Sequence, residues 1–401
     1  MKRFLSFAEH IGDRIKRIIS DKRFKRYLPL GLVVLIALIS FVTCVPRAEA
    51  PSDPPPETTP VETVPTTEPP TTLPQPTTEP TTEPSTEPPT EPVYEGPFNP
   101  LTGQPVEQDI SKNRPLAIMI NNIRAALPQV GISKADIIYE MLVEGGITRM
   151  LAIYQDVNDV GVIGSIRSAR PYYVDVAQSF DAIFIFAGAS EHAYSVLASR
   201  NITRLDGVHG RQTQIFYRDP GRQNMAFEHR LVSSGSRITE YLPTYNFRLE
   251  HEDGYVRALS FSEDGTPAGG EPALDFSIKF SSGKSTSFTY DADEERYYLR
   301  QYGNAYRDGN DNSQLSVTNV LVLQTSVSRI PGDRYDRLRV TTTGNGGGYF
   351  ACGGKYIEID WSRENDSAQF KYTLKDGTEL VLGQGKTYIC IVPNNLDQTI
   401  A

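Results

Sequence analysis

One long apolar run and a series of short periodic segments organise this chain. Residues 27–45 read YLPLGLVVLIALISFVTCV, 19 residues without a charge, close to what a helix needs to cross a ~30 Å hydrocarbon core. Before it, Phe4, Phe7, Ala8, Ile11, Ile15, Ile18 and Ile19 recur at helical spacing among basic residues. That pattern suits a leader over residues 1–26 lying on anionic lipid, and equally a short cytoplasmic tail with no task of its own. Further on, Leu116–Asn121 is a compact apolar run ending in Asn121-Asn122 and reads as a strand, while residues 137–144 and 147–155 alternate about Gly145-Gly146 as a hairpin does. Pro171–Ser179 predicts a helix with proline in its first turn, residues 181–187 a buried strand, and Ser190 the cap of a helix reaching Leu197.

From about Phe247 the pattern turns to short strands, at 256–261, 276–280, 286–290, 317–324, 337–342, 356–361 and 388–392, with a turn at Asp376-Gly377 and residues 263–272 as the least ordered loop. The expected fold is α+β. An N-terminal mixed α/β domain over 99–245 precedes an all-β C-terminal domain over 246–401, both on a disordered stalk over 46–98 behind a single transmembrane helix.

Composition supports the stalk. Of 29 prolines, 18 fall between Pro46 and Pro100, and Thr-Thr-Glu-Pro recurs from Thr66, Thr77 and Thr81. Such a segment cannot build a core, and at about 3.1 Å per residue it reaches up to ~160 Å. The net charge of −9 divides into +6 for residues 1–45, −9 for the stalk and −6 for the rest. An acidic exterior without a basic stripe argues against nucleic acid as a partner. Lys22, Arg23, Lys25 and Arg26 abut the apolar run, whereas Arg47 is the only basic residue from 46 to 111. The positive-inside rule then keeps the N-terminus cytoplasmic and places the folded domains outside the cell membrane, on a single-pass signal anchor. Lipidation at Cys44 competes with this, although Phe41, Val42 and Thr43 make a poor lipobox. So does cleavage at Ala48-Glu49-Ala50, which Pro51 disfavours.

The runs Asn99-Pro100-Leu101-Thr102-Gly103, 115–122, 135–149 (ADIIYEMLVEGGITR) and 165–171 (SIRSARP) resemble the N-terminal domain of the YerB-like bacterial surface proteins. The tail, with 320–324, 344–349, Ile359-Asp360-Trp361 and 385–393, is similar to that family's C-terminal β domain. The resemblance covers most of 99–395 and implies an anchored or lipid-modified envelope protein of Gram-positive type. It implies an architecture and no activity. The chain departs from the family's pattern at Thr43-Cys44 and over 223–231.

The loop Gly164-Ser165-Ile166-Arg167-Ser168-Ala169-Arg170-Pro171 is the best candidate for chemistry. Free amides entering a helix and two guanidinium forks suit phosphate or carboxylate. Asn121, Arg149, Arg167, Ser168 and Arg170 are the expected ligand-binding residues. The plainer reading has Arg167 and Arg170 pair with Glu140, Glu144 or Asp175 and brace the loop. Glu140 and Glu144, at even spacing on one strand, could act as paired carboxylates on a glycan, or be taken up in a cross-strand salt bridge with Arg149. His192, after Gly188-Ala189-Ser190-Glu191, is a third catalytic candidate, against a bland surface role. Ser190 lacks the glycine of a nucleophile elbow and reads as a helix cap.

Gly283-Lys284-Ser285 imitates the end of a phosphate-binding loop without its first glycine, and Ser281-x-x-Lys284 imitates a penicillin-binding motif in the wrong context. No metal-ligand spacing occurs among the five histidines, so neither metal nor cofactor is expected. Cys352 and Cys390 could form a disulfide or remain two buried thiols. The reading favoured is a non-enzymatic envelope module that binds cell-wall polymer or a membrane-anchored wall-synthesis protein. The alternative is a hydrolase or transferase acting on wall glycan or anionic polymer.

Overall fold

A computed structural model describes residues 96–210, 214–398 and 400. The expected leader, apolar span, stalk and Cys44 lie outside these, and no helix among the described residues is long and apolar enough to cross a membrane. In chain order the strands and helices are β1 (Leu116–Asn121), β2 (Ile137–Leu142), β3 (Thr148–Tyr154), β4 (Val162–Gly164), α1 (Pro171–Ser179), β5 (Ile183–Phe186), α2 (Glu191–Ser199), β6 (Arg204–Asp206), β7 (Tyr217–Arg218), β8 (Leu231–Ser234) and α3 (Gly235–Tyr241). There follow β9 (Ser260–Ser262), β10 (Glu271–Pro272), β11 (Asp275–Ser281), β12 (Lys284–Asp291), β13 (Arg296–Gln301), β14 (Asn304–Ala305), β15 (Ser316–Val317) and β16 (Asn319–Thr325). The last are β17 (Val327–Arg329), β18 (Leu338–Val340), β19 (Gly344–Cys352), β20 (Lys355–Arg363), β21 (Lys371–Leu374), β22 (Val381–Gly383) and β23 (Thr387–Pro393).

Strands dominate and helices are few. The central sheet runs β10-β20-β19-β16-β23-β2-β3-β1-β5-β6, with β21 beside β20. Its middle is a strand from the far end of the chain. β23 lies parallel to β2, opposing Tyr388 to Ile138, and parallel to β16 on its other side, so both halves share one sheet. Every residue of β2 and β23 is buried. Continuous burial of that kind requires both faces to be covered.

Strand parity decides what covers each face. Met119, Tyr139, Met141, Leu151, Phe184 and Ile389 pack with Tyr173, Val176 and Ala177 of α1 and with Leu197 of α2. Ile118, Ile138, Met150, Val322 and Tyr388 pack on the opposite face with Phe276, Ile278, Phe288 and Leu299, from the second sheet β11-β12-β13-β14. β11 accordingly alternates exposed and buried, since only one side of it meets the core.

Several expectations shift. The predicted strand at 137–144 stops at Leu142, because Gly145 and Gly146 take φ of 75° and 71° and turn the chain there. Of the strand expected at 256–261 only β9 forms, over Ser260–Ser262. Within 263–272, Glu271 and Pro272 pair with Tyr356 and Lys355 of β20. The proposed Cys352–Cys390 disulfide is not formed; both thiols are free and buried. The reason is parity, since Cys352 packs with the helix-covered face and Cys390 with the face beneath the second sheet.

Candidate functional site

The site lies where the parallel strands β1 and β5 end, the position at which sheets of this kind present loops to ligands. The segment 165–169 is laced between those ends. Asn121 N donates to Ser165 O at 2.9 Å, Arg167 N to Met119 O at 2.9 Å, Ala187 N to Arg167 O at 3.1 Å and Ala169 N to Gly188 O at 2.9 Å. Pro171 then opens α1 directly after Arg170. Arg167 and Arg170 are thereby fixed by backbone rather than by side-chain packing alone.

Arg170 is occupied. Its Nε donates to Glu144 Oε1 at 2.5 Å and its Nη2 to Glu144 Oε2 at 2.8 Å, a two-pronged, partly buried pair. Burial alone would lower Arg170 and raise Glu144. Their mutual bonds outweigh it, so Arg170 is raised and Glu144 lowered.

Arg149 and Arg167 are differently placed. Arg149 is 8% exposed and donates from Nη1 to Ser168 O at 2.6 Å. Burial, with Arg170 and Arg167 pressing on it, pushes its guanidinium down to about 10. Arg167 reaches only the carbonyl of Glu228, at 3.5 Å, and its Nε is buried without a partner. Among the described residues no carboxylate forms an ion pair with either. A buried cation lacking a counter-ion is costly in a protein interior. The arrangement fits an incoming anion.

Asn121 belongs to the same end of the sheet, opposite Arg149 in the β1–β3 register. Its Nδ2 lies 3.1 Å from His229 Nδ1, and burial together with Arg167 lowers that imidazole. A neutral ring accepting at Nδ1 carries its proton on Nε2. His229 was missed in the sequence because it stands in a short turn, Phe227–His229, with no periodic pattern to mark it.

The catalytic candidates are not assembled. Glu140 is fully buried on the face covered by the second sheet. Its Oε1 accepts from Asn122 Nδ2 at 2.8 Å and Thr148 Oγ1 at 2.5 Å and lies 3.1 Å from Lys284 Nζ; its Oε2 accepts from Thr286 Oγ1 and Tyr388 OH, both at 2.7 Å. Glu144 lies beyond β2, spent on Arg170, so the two carboxylates share neither face nor partner. Glu140 cannot bridge to Arg149 either, because Met150 stands opposite it. His192 is exposed on α2, with Asp333 as its electrostatic neighbour. Ser190 caps α2, accepting from Ala193 N at 3.2 Å. Asp175 pairs with Arg200 at 2.7 Å rather than with Arg167 or Arg170. The imitation motif around Lys284 proves to be a hairpin turn whose lysine points inward. Alternation through Lys284, Thr286 and Phe288 carried that signal.

Comparison with known proteins agrees with this architecture. Residues 101–248 match the N-terminal domain, and residues 276–389 the C-terminal domain, of a protein family of unknown function, DUF3048. The chain is 30% identical over 298 residues to the Bacillus subtilis (strain 168) protein titled "Putative lipoprotein YerB", covering 74% of this chain and 86% of that one. The crystal structure of YerB from Bacillus subtilis superposes with a TM-score of 0.63 at 28% identity, over 74% of this chain and 96% of that one. Sequence, domain pair and fold agree, and the chain belongs to the DUF3048 family, together with YerB.

Proposed function

We propose that the folded unit is an extracytoplasmic envelope module held at the membrane, either by the apolar span at 27–45 or by lipid on Cys44, and that it binds an anionic group through Arg149, Arg167, Ser168 and Asn121. One observation carries the reading. Arg149 is buried beside Arg167, its acidic neighbour Glu144 is committed to Arg170, and Glu228, the acidic neighbour of Arg167, forms no ion pair with it. A phosphate or carboxylate would accept from both guanidiniums, neither of which has a carboxylate partner, and relieve their mutual repulsion.

The proline-rich composition of residues 46–98 suits a spacer of up to ~160 Å, long enough to carry the site into a wall. Anionic wall polymer is therefore the ligand favoured, with an acidic patch on a membrane-anchored wall-synthesis protein as the second. Acid–base catalysis has no support from Glu140 and Glu144, which are spent on other contacts. The test is binding of the full-length chain in detergent to washed wall sacculi at low salt, beside an Arg167→Ala variant. Binding by the parent that is lost in the variant supports the reading, and equal binding by both removes the site.

A further inference from the structure

Lys284, Glu140 and Asn122 are among the most enclosed polar groups of the protein, at 3%, 0% and 0% exposure. Lys284 Nζ and Asn122 Nδ2 converge on the same oxygen, Glu140 Oε1, at 3.1 and 2.8 Å. Aromatic side chains close the site. The Tyr302 ring lies 4.9 Å from Nζ, Tyr306 OH donates to Asn122 Oδ1 at 3.3 Å, and Tyr388 OH donates to the far oxygen of Glu140. A buried ion pair is poor evidence of stabilisation on its own, because desolvation offsets its attraction. Here an amine and a side-chain amide share one carboxylate oxygen, the amide oxygen already accepts from a hydroxyl, and all three groups are enclosed.

We propose that Lys284 and Asn122 join spontaneously in an intramolecular isopeptide bond, with Glu140 as proton carrier. Glu140 takes a proton from the Lys284 ammonium across their contact, a transfer that creates no net charge in the interior. The freed Nζ attacks Asn122 Cγ, and Tyr306 OH stabilises the oxyanion that develops at Oδ1. Glu140 passes the proton to Nδ2. The Cγ–Nδ2 bond breaks as the Cγ–Nζ bond is completed, and a second proton travels the same path. Two of the three ammonium protons thus leave with Nδ2 as ammonium, one stays on the new amide, and Glu140 returns to carboxylate. No oxidant, metal or cofactor enters. Burial and alignment supply what an enzyme would otherwise provide.

The bond would bolt β12 to the end of β1, tying the region matched by the family's C-terminal domain to that matched by its N-terminal domain. It does not depend on the anion site. Glu140 is thereby assigned a reaction within the chain itself.

The experiment is a tryptic map of the full-length chain, purified folded. A cross-linked protein yields one branched peptide joining residues 113–124 to residues 280–296, uncleaved at Lys284 and lighter than its two parts by one ammonia. Glu140→Gln should yield the linear peptides 113–124 and 280–284. Linear peptides from the parent chain would overturn the proposal, and so would an ammonia loss confined to 113–124 with normal cleavage at Lys284, which marks a succinimide. The parent's map decides the matter even where Glu140→Gln fails to fold.

Discussion

Glu144 and Arg170 meet prong to prong, at 2.5 and 2.8 Å, at the start of α1. This one pair determines which arginine is available, since it removes both Arg170 and the local carboxylate from any exchange with a ligand. Glu144→Gln should therefore loosen the 165–170 loop and cost about 1–3 kcal/mol, the range for losing one partner of a partly buried charged bond. Chemical denaturation of the variant measures it. Because Glu144 is lowered by Arg170, its contribution is present above the ordinary carboxylate range and fades as pH falls. A stability difference between parent and variant that persists unchanged in strong acid would count against the pair.

Arg170→Ala and Arg167→Ala should accordingly part company. The first leaves Glu144 without its partner and lowers the melting temperature. The second removes a side chain whose Nε has no partner, so stability should change by less than about 1 kcal/mol while anion binding weakens by about tenfold or more. Calorimetric melting beside a phosphate titration separates them. Equal melting losses would place Arg167 in the brace.

Two other carboxylates give the folded unit an acid-side optimum. Burial pushes Asp136 up to about 6 against bonds from Gln155 N and Asn99. Its folded value is raised, so its protonated form favours folding, and stability from it declines as pH rises from about 4 to about 6. Burial would raise Asp181 too, but His251, Arg248 and Arg114 outweigh it and hold it down to about 2. That contribution is present above the ordinary value and is lost as pH falls from about 4 to about 2. Melting temperature against pH should show Asp136→Asn gaining on the parent between pH about 4 and about 6. A constant gap across that range would refute the assignment.

Cys352 and Cys390 should both react with a thiol reagent once the chain is unfolded and neither while it is folded, since both are buried and burial pushes Cys352 up to about 11. Added reductant should leave the melting temperature unchanged. A reductant-sensitive melt would show that the two strands rearrange to bring the thiols together.

Much of the fold was legible because local chemistry and tertiary environment agree. Leu116–Asn121 is apolar up to its last residue and buried on both faces, and Pro171–Ser179 begins at a proline and ends as predicted. What escaped was set by distance along the chain. That β23 would enter between β16 and β2, sharing one sheet between the two halves, leaves no trace in any local period. The candidate site was half legible for the same reason. Arg167 and Arg170 announce themselves in a small-residue loop ahead of a proline. Their different fates follow from Glu144, which even spacing placed on a strand and two glycines placed on a turn. Lys284 was set aside with a false motif, although its alternation with Thr286 and Phe288 pointed it inward.

Arg149 and Arg167 are proposed to take an anion of the wall. The most direct measurement is the fraction of full-length chain sedimenting at low salt with wall sacculi, before and after their anionic polymer is stripped, for the parent and for Arg167→Ala. The parent should sediment with intact sacculi, less so as salt rises, and stripping or the substitution should abolish it. Sedimentation that survives both would contradict that role.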